Sequence, residues 1–270
     1  MTAHAALRRP ASFDVMVVAA AVLAGALVAW IVTVARMRGM DDGPGTDLGG
    51  LGWYLGIWVT MMAAMMLPSV APMVLFFAHV SREREKRGSG HVSTWAFLAG
   101  YFAVWTAYGL VGYGVYRFVT AFDTGILAWH RAGPYVAGAA IAGAGLYELT
   151  PLKRVCLRHC RSPLHFLLTG WRRGHTGAFS MGTEHGAYCV GCCWGLMVIL
   201  FALGVMSLVW MAAVASLIFV QKVLPRADRL SVPFAVVFVA FGILVASVPD
   251  RVPGLARPGG APGMHTTPMK

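Results

Sequence analysis

The chain has 270 residues, 58% hydrophobic and 12% charged, with a formal net charge of +11. An ordinary soluble domain is about 45–50% apolar and about 25% charged, so this composition excludes one. It points instead to an all-α polytopic membrane bundle: one transmembrane helical domain over residues 1–250 and a disordered tail at 251–270.

Seven apolar runs read as spans, at about 13–35, 52–80, 93–119, 133–150, 187–203, 205–222 and 232–249. The first exceeds the apolar core of a signal peptide, about 7–15 residues, and Arg36 and Arg38 come directly after it, which makes it a retained span. The second holds Met61, Met62, Met65 and Met66, two i, i+4 pairs, with Met73 continuing the stripe past Pro68 and Pro72. Methionine is a common apolar filler, and a proline pair predicts a kink. Four thioethers within six residues are also a donor set, poor for Zn²⁺ or Mg²⁺ and good for Cu(I). In the fourth span, Ala137 to Ala140 and Ala142 to Gly145 are all small, which lets helices approach closely.

Glu148 lies near the end of that span, and Cys156, His159 and Cys160 come after it. Cys156 and Cys160 share one helix face, where they suit a metal at the inner membrane surface, although no second pair completes a zinc-finger pattern. Glu148 either faces headgroups or is a functional intramembrane carboxylate. His165, His175 and Glu184 read as solvated residues of a polar loop.

The fifth run opens on His185, Cys189, Cys192 and Cys193. As a helix it puts His185, Cys189 and Cys193 at i, i+4 and i+8, with Cys192 beside the stripe. Three cysteines and an imidazole in so short a segment form a soft-metal ligand set or a redox pair, while packing alone explains any single cysteine. The apolar stretch runs on for about 40 residues, which as one helix would measure about 60 Å, twice the hydrocarbon core. A tight turn at Leu203-Gly204-Val205 is therefore expected, dividing it into the fifth and sixth spans.

Charge orients the bundle. Arg8 and Arg9, the Arg82 to Arg87 segment, the Lys153 to Arg173 segment, and Lys222, Arg226 and Arg229 fall on one side of a seven-span topology. The positive-inside rule makes that side cytoplasmic, with the N-terminus inside and the C-terminus outside. The same placement argues against nucleic-acid binding, since the basic residues lie in short loops and no soluble domain remains to do it. All five cysteines lie between Cys156 and Cys193, near the reducing side, and do not form a disulfide framework. Helix rise puts Met65 and Met66 about 20 Å from the outer entry and Cys192 and Cys193 about 10 Å from the inner one. The two clusters then share a level and face each other in one site. No nucleotide-binding glycine motif, zincin pair or nucleophile elbow is present.

These segments resemble a bacterial family of metal-binding integral membrane proteins, formerly a domain of unknown function and associated with membrane copper chaperones for polyphenol oxidases. The resemblance rests on Met61 to Ser69 with Pro72-Met73, on Leu149 to Lys153 with Cys156 and Cys160 to Pro163, on His185 to Trp194, and on Gly204 to Met211. Glu148 and Ser207 stand where the family is expected to carry amides. The resemblance implies a multi-pass protein of the bacterial inner membrane that binds Cu(I) and delivers it to a client copper oxidase. It raises copper above other soft metals for Met61, Met62, Met65, Met66, His185, Cys189, Cys192, Cys193, Cys156 and Cys160. Such a protein is no enzyme; the alternatives are a membrane thiol–disulfide redox protein and a metal-ion transporter.

Overall fold

The computed structural model describes residues 11–38, 48–88, 92–122, 132–204, 207–224 and 230–248. Among these the structure is helical, with no strand: α1 (Ala11–Met37), α2 (Leu51–Lys86), α3 (Thr94–Phe122), α4 (Gly133–Tyr147), α5 (Pro151–Arg161), α6 (Pro163–Gly170), α7 (Gly174–Leu203), α8 (Leu208–Val223) and α9 (Ser231–Ser247). The orienting charges Arg8, Arg9, Arg226 and Arg229, and the tail at 251–270, lie outside the described residues.

Each of the seven apolar runs coincides with a helix. Four helices are long and apolar enough to cross a membrane, α1, α2, α3 and α7, while α8 and α9 are shorter apolar helices. Large apolar side chains line the outside of α1, among them Leu23, Leu27, Val28 and Ile31. Helix α2 continues through Pro68 and Pro72 as one element. The expected turn is present: α7 stops at Leu203, Gly204 takes φ +112°, and the Ser207 amide donates to the Gly204 carbonyl at 3.1 Å before α8 begins. Glycine fits there because other residues rarely adopt positive φ.

The segment expected to be a polar loop is instead helical. It forms α5, α6 and the first turns of α7, which starts at Gly174 rather than near residue 187. The reason is a stripe that the polar composition masks. Ala178, Met181, Gly182, His185 and Cys189 are buried at helical spacing. Cys192 accordingly lies about 27 Å along α7 from its first residue.

The chain clusters into two compact units. One comprises Met1–Thr33, Leu55–Val111 and Val155–Cys192, the other Val34–Tyr54, Gly112–Arg154 and Cys193–Lys270. In the first, glycines bring α7 against α3. A Cβ on Gly182 would collide with the Phe97 carbonyl, one on Gly100 with the Phe179 carbonyl, and one on Gly186 would meet the Tyr101 carbonyl at 3.0 Å. Trp58 of α2 donates through Nε1 to the Trp105 carbonyl of α3 at 2.9 Å, and Phe77 stacks on Phe97 at 4.7 Å. In the second unit, the small residues of α4 do what their spacing predicts. Gly138 crosses Gly242 of α9 so closely that a Cβ on either would strike the other's carbonyl.

Gly138→Val should therefore destabilise the second unit by about 1–3 kcal/mol or more, because backbone atoms rather than movable side-chain tips stand in the way. Gly143→Val is the control, since a Cβ there has nothing within 4 Å. Thermal unfolding in detergent measures both, and equal shifts for the two variants would refute the crossing.

Candidate metal centre

In the first unit, α5 and α7 present their cysteines to each other. Helix α5 is amphipathic, with Cys156 and Leu157 buried while Arg154 and Arg158 stay exposed. That periodicity turns Cys156 and Cys160 toward α7. Cys160 Sγ lies 3.7 Å from Cys192 Sγ. Cys156 reaches α7 at Gly191, where a Cβ would stand 2.6 Å from its sulfur. The absence of a side chain at Gly191 thus makes room for a thiol. None of the five cysteines is in a disulfide.

Deeper in the unit, Cys189 Sγ lies 3.0 Å from the hydroxyl of Tyr101 on α3, both groups fully buried. A phenol can donate to sulfur as well as accept from a thiol, so Tyr101 fixes where this sulfur points. The Cys192 thiol points back at the Cys189 carbonyl at 3.2 Å. His185 is 2% exposed and sits among three aromatic rings, with centroids at 5.5 Å for Phe166, 5.9 Å for Phe97 and 6.0 Å for Tyr101. Burial pushes the Cys156 thiol up from its ordinary value, so ionisation there needs a compensating cation or donor.

Met61, Met62, Met65 and Met66 are each at most 1% exposed, and all four lie in the same unit as Cys156, Cys160, Cys189 and Cys192. Cys193 is also buried but falls in the second unit. Among the described residues, no group of three or more His, Cys, Asp or Glu is arranged to hold a metal ion. The structure therefore brings together Cys160 with Cys192 and Cys189 with Tyr101 as pairs. Sequence spacing puts the α5 and α7 cysteines in separate groups and does not single out Tyr101. A lone tyrosine in an apolar run carries no distinguishing signal, so only the fold identifies it.

Glu148 proves to be part of a buried polar network in the second unit. Lys153 Nζ donates to Glu148 Oε1 and, at 3.0 Å, to Gln221 Oε1, and Gln221 Nε2 donates to Glu148 Oε2 at 3.1 Å. The three side chains are 2–3% exposed. With both carboxylate oxygens engaged, Glu148 ties α4, α5 and α8 together rather than facing headgroups.

Among known proteins, the model of a family described as PpoB2, copper chaperone, matches residues 55–245. No curated protein and no solved structure gives a significant match.

Both sets of contacts can be tested by substitution. Gly191→Val should push α5 off α7 and reduce bridging of Cys160 to Cys192 by a short bifunctional thiol-alkylating reagent several-fold, as mass spectrometry would read it; an unchanged yield would remove Gly191 from this role. Lys153→Met should cost about 3–5 kcal/mol by stranding the Glu148 charge. Adding Glu148→Gln to Lys153→Met should recover much of that loss in a thermal melt, whereas additive losses would argue against a coupled pair.

Proposed function

The chain belongs to the PpoB2 copper chaperone family, and from that premise we propose that it is an integral membrane carrier that binds copper as Cu(I) and delivers it to a client copper enzyme. The topology proposed is the seven-span one, in the bacterial inner membrane, with the N-terminus inside. Copper is cargo here, passed between soft donors by ligand exchange, so no catalytic base or energy source is needed.

The observation that carries this reading is the 3.7 Å approach of Cys160 to Cys192. Two thiolates on one ion with metal–sulfur bonds of about 2.3 Å stand about 3.8 Å apart at a tetrahedral angle and about 4.0 Å apart at 120°. The pair is thus spaced for a shared ion. A disulfide would need about 2.05 Å. Cys189 and Cys156 supply further thiolates in the same unit, and His185 an imidazole. The methionine stripe supplies thioethers, which keep selectivity for Cu(I) while binding it less tightly than thiolates. Cys193 belongs to this ligand set on sequence grounds alone.

The same sulfur approach also favours a second reading, a thiol–disulfide redox protein using Cys160 and Cys192. Copper stoichiometry and X-ray absorption on the reduced, detergent-purified protein separate the two. A carrier holds at least one copper in a sulfur-rich shell. Cys160→Ser with Cys192→Ser should then weaken binding by more than the roughly 10–100-fold that loss of an outer-shell partner causes. Copper binding equal to that of a variant lacking all five cysteines would sink the carrier reading. A disulfide that forms in air and turns over with a thiol substrate would favour the redox one.

A further inference from the structure

We infer that the exposed side of α5 and α6 carries an exchange port, in which His159 and His165 hand copper to and from the buried cysteines. The port rests on the carrier function proposed above and names two ligands outside its cysteine and methionine set.

His159 Nδ1 lies 2.9 Å from the Val155 carbonyl oxygen. A carbonyl only accepts, so Nδ1 carries the hydrogen, and in the neutral ring Nε2 is then the nitrogen with the lone pair that a metal needs. Metal-ligating histidines share this arrangement, with one ring nitrogen donating to a carbonyl or carboxylate and the other facing the ion. The ring is also fixed in orientation, stacked on Tyr188 of α7 at 4.3 Å with planes 7° apart. His165, exposed on α6, stands edge-on to it with centroids 6.5 Å apart. Two imidazoles on one ion, with metal–nitrogen bonds of about 2.0 Å, hold their centroids about 5–6.5 Å apart depending on the angle. The pair therefore matches a weak, two-coordinate site open to solvent.

The neighbouring cysteines give the pair a direction. Cys160 adjoins His159, is half-buried, and touches Cys192, which is 1% exposed; Cys189 beyond is fully buried. Exposure falls along this series while the donor changes from imidazole to the softer thiolate at its first step, so an ion moving inward passes to a stronger class of ligand and then away from water. The exchange is substitution at constant oxidation state: an imidazole Nε2 replaces one donor of the incoming complex, a thiolate then replaces the imidazole, and the thiol proton leaves to solvent. Exposed Arg154 and Arg158 on α5 favour copper arriving in an anionic complex over a free cation.

Stopped-flow transfer of Cu(I) between the reduced protein and an anionic sulfonated chelator tests the port. His159→Ala with His165→Ala should slow transfer in both directions by about tenfold, the lower end of what losing a metal-site partner costs, with unchanged copper stoichiometry at equilibrium. Added imidazole should restore part of the rate. Rates within about twofold of the wild type would overturn the port and leave the carrier standing; a wild type that binds no copper would overturn both. His165→Asn, a single change at an exposed position, should show the same slowing in smaller measure and decides the matter if the double variant misfolds.

Discussion

The centre depends on how closely α5 can approach α7. A thiol sulfur on one helix meets a thiol on another only where the facing backbone is bare, and Gly191 supplies that gap opposite Cys156. One turn further along α5, Cys160 then reaches Cys192. The same device recurs in the first unit at the α3–α7 crossing, where Gly100 and Gly182 let carbonyls into the space that side chains would fill. That crossing in turn brings Tyr101 to Cys189. In the bilayer proposed for this protein, helices would gain little from excluding hydrocarbon, and close packing at small residues would carry the association. Ligand geometry and bundle packing are therefore one constraint, and a change that loosens a glycine contact moves a sulfur.

The second unit addresses a different problem, a carboxylate and an ammonium in an apolar interior. Separately each would carry a desolvation penalty of several kcal/mol. Lys153, Glu148 and Gln221 offset it together, since the glutamine both donates to the carboxylate and accepts from the ammonium. Gln221 lies on α8 and Lys153 in the first turn of α5, so the network fastens the start of that cysteine-bearing helix to α8 and to the end of α4. This gives Glu148 a structural task and removes the need to assign it to copper.

Much of this is legible in the residues, and the limits have physical causes. Apolar runs locate helices because a buried backbone must satisfy its own hydrogen bonds, and Gly204 marks the α7–α8 turn because few other residues tolerate its φ. The small residues of α4 announce close packing but not their partner, since spacing on one helix says nothing about which helix it meets. Residues 151–186 read as a loop because charged residues on the exposed faces of α5 and α7 outweigh the buried stripe in composition, although the period of Ala178, Met181, Gly182 and His185 is there to find. The cysteine pairing is out of reach: Cys160 and Cys192 are separated by a chain reversal that periodicity does not encode.

Burial explains why a carrier would keep its donors graded rather than uniformly strong. Cysteines buried at 0–1% exposure, such as Cys189 and Cys192, would in such a carrier hold an ion away from water and from competing ligands. Burial also slows every exchange that needs an incoming donor to touch the ion. A site made only of such groups would store copper rather than pass it on. In the proposed carrier, thioethers of Met61, Met62, Met65 and Met66, buried in the same unit, would be weaker donors that still select Cu(I), and surface imidazoles weaker donors without that selectivity. Their value to a chaperone lies in that weakness: each supplies a partial bond that lowers the barrier between tight states without becoming one. Five cysteines outside any disulfide fit the same logic, since a bridged pair would offer copper no thiolate at all.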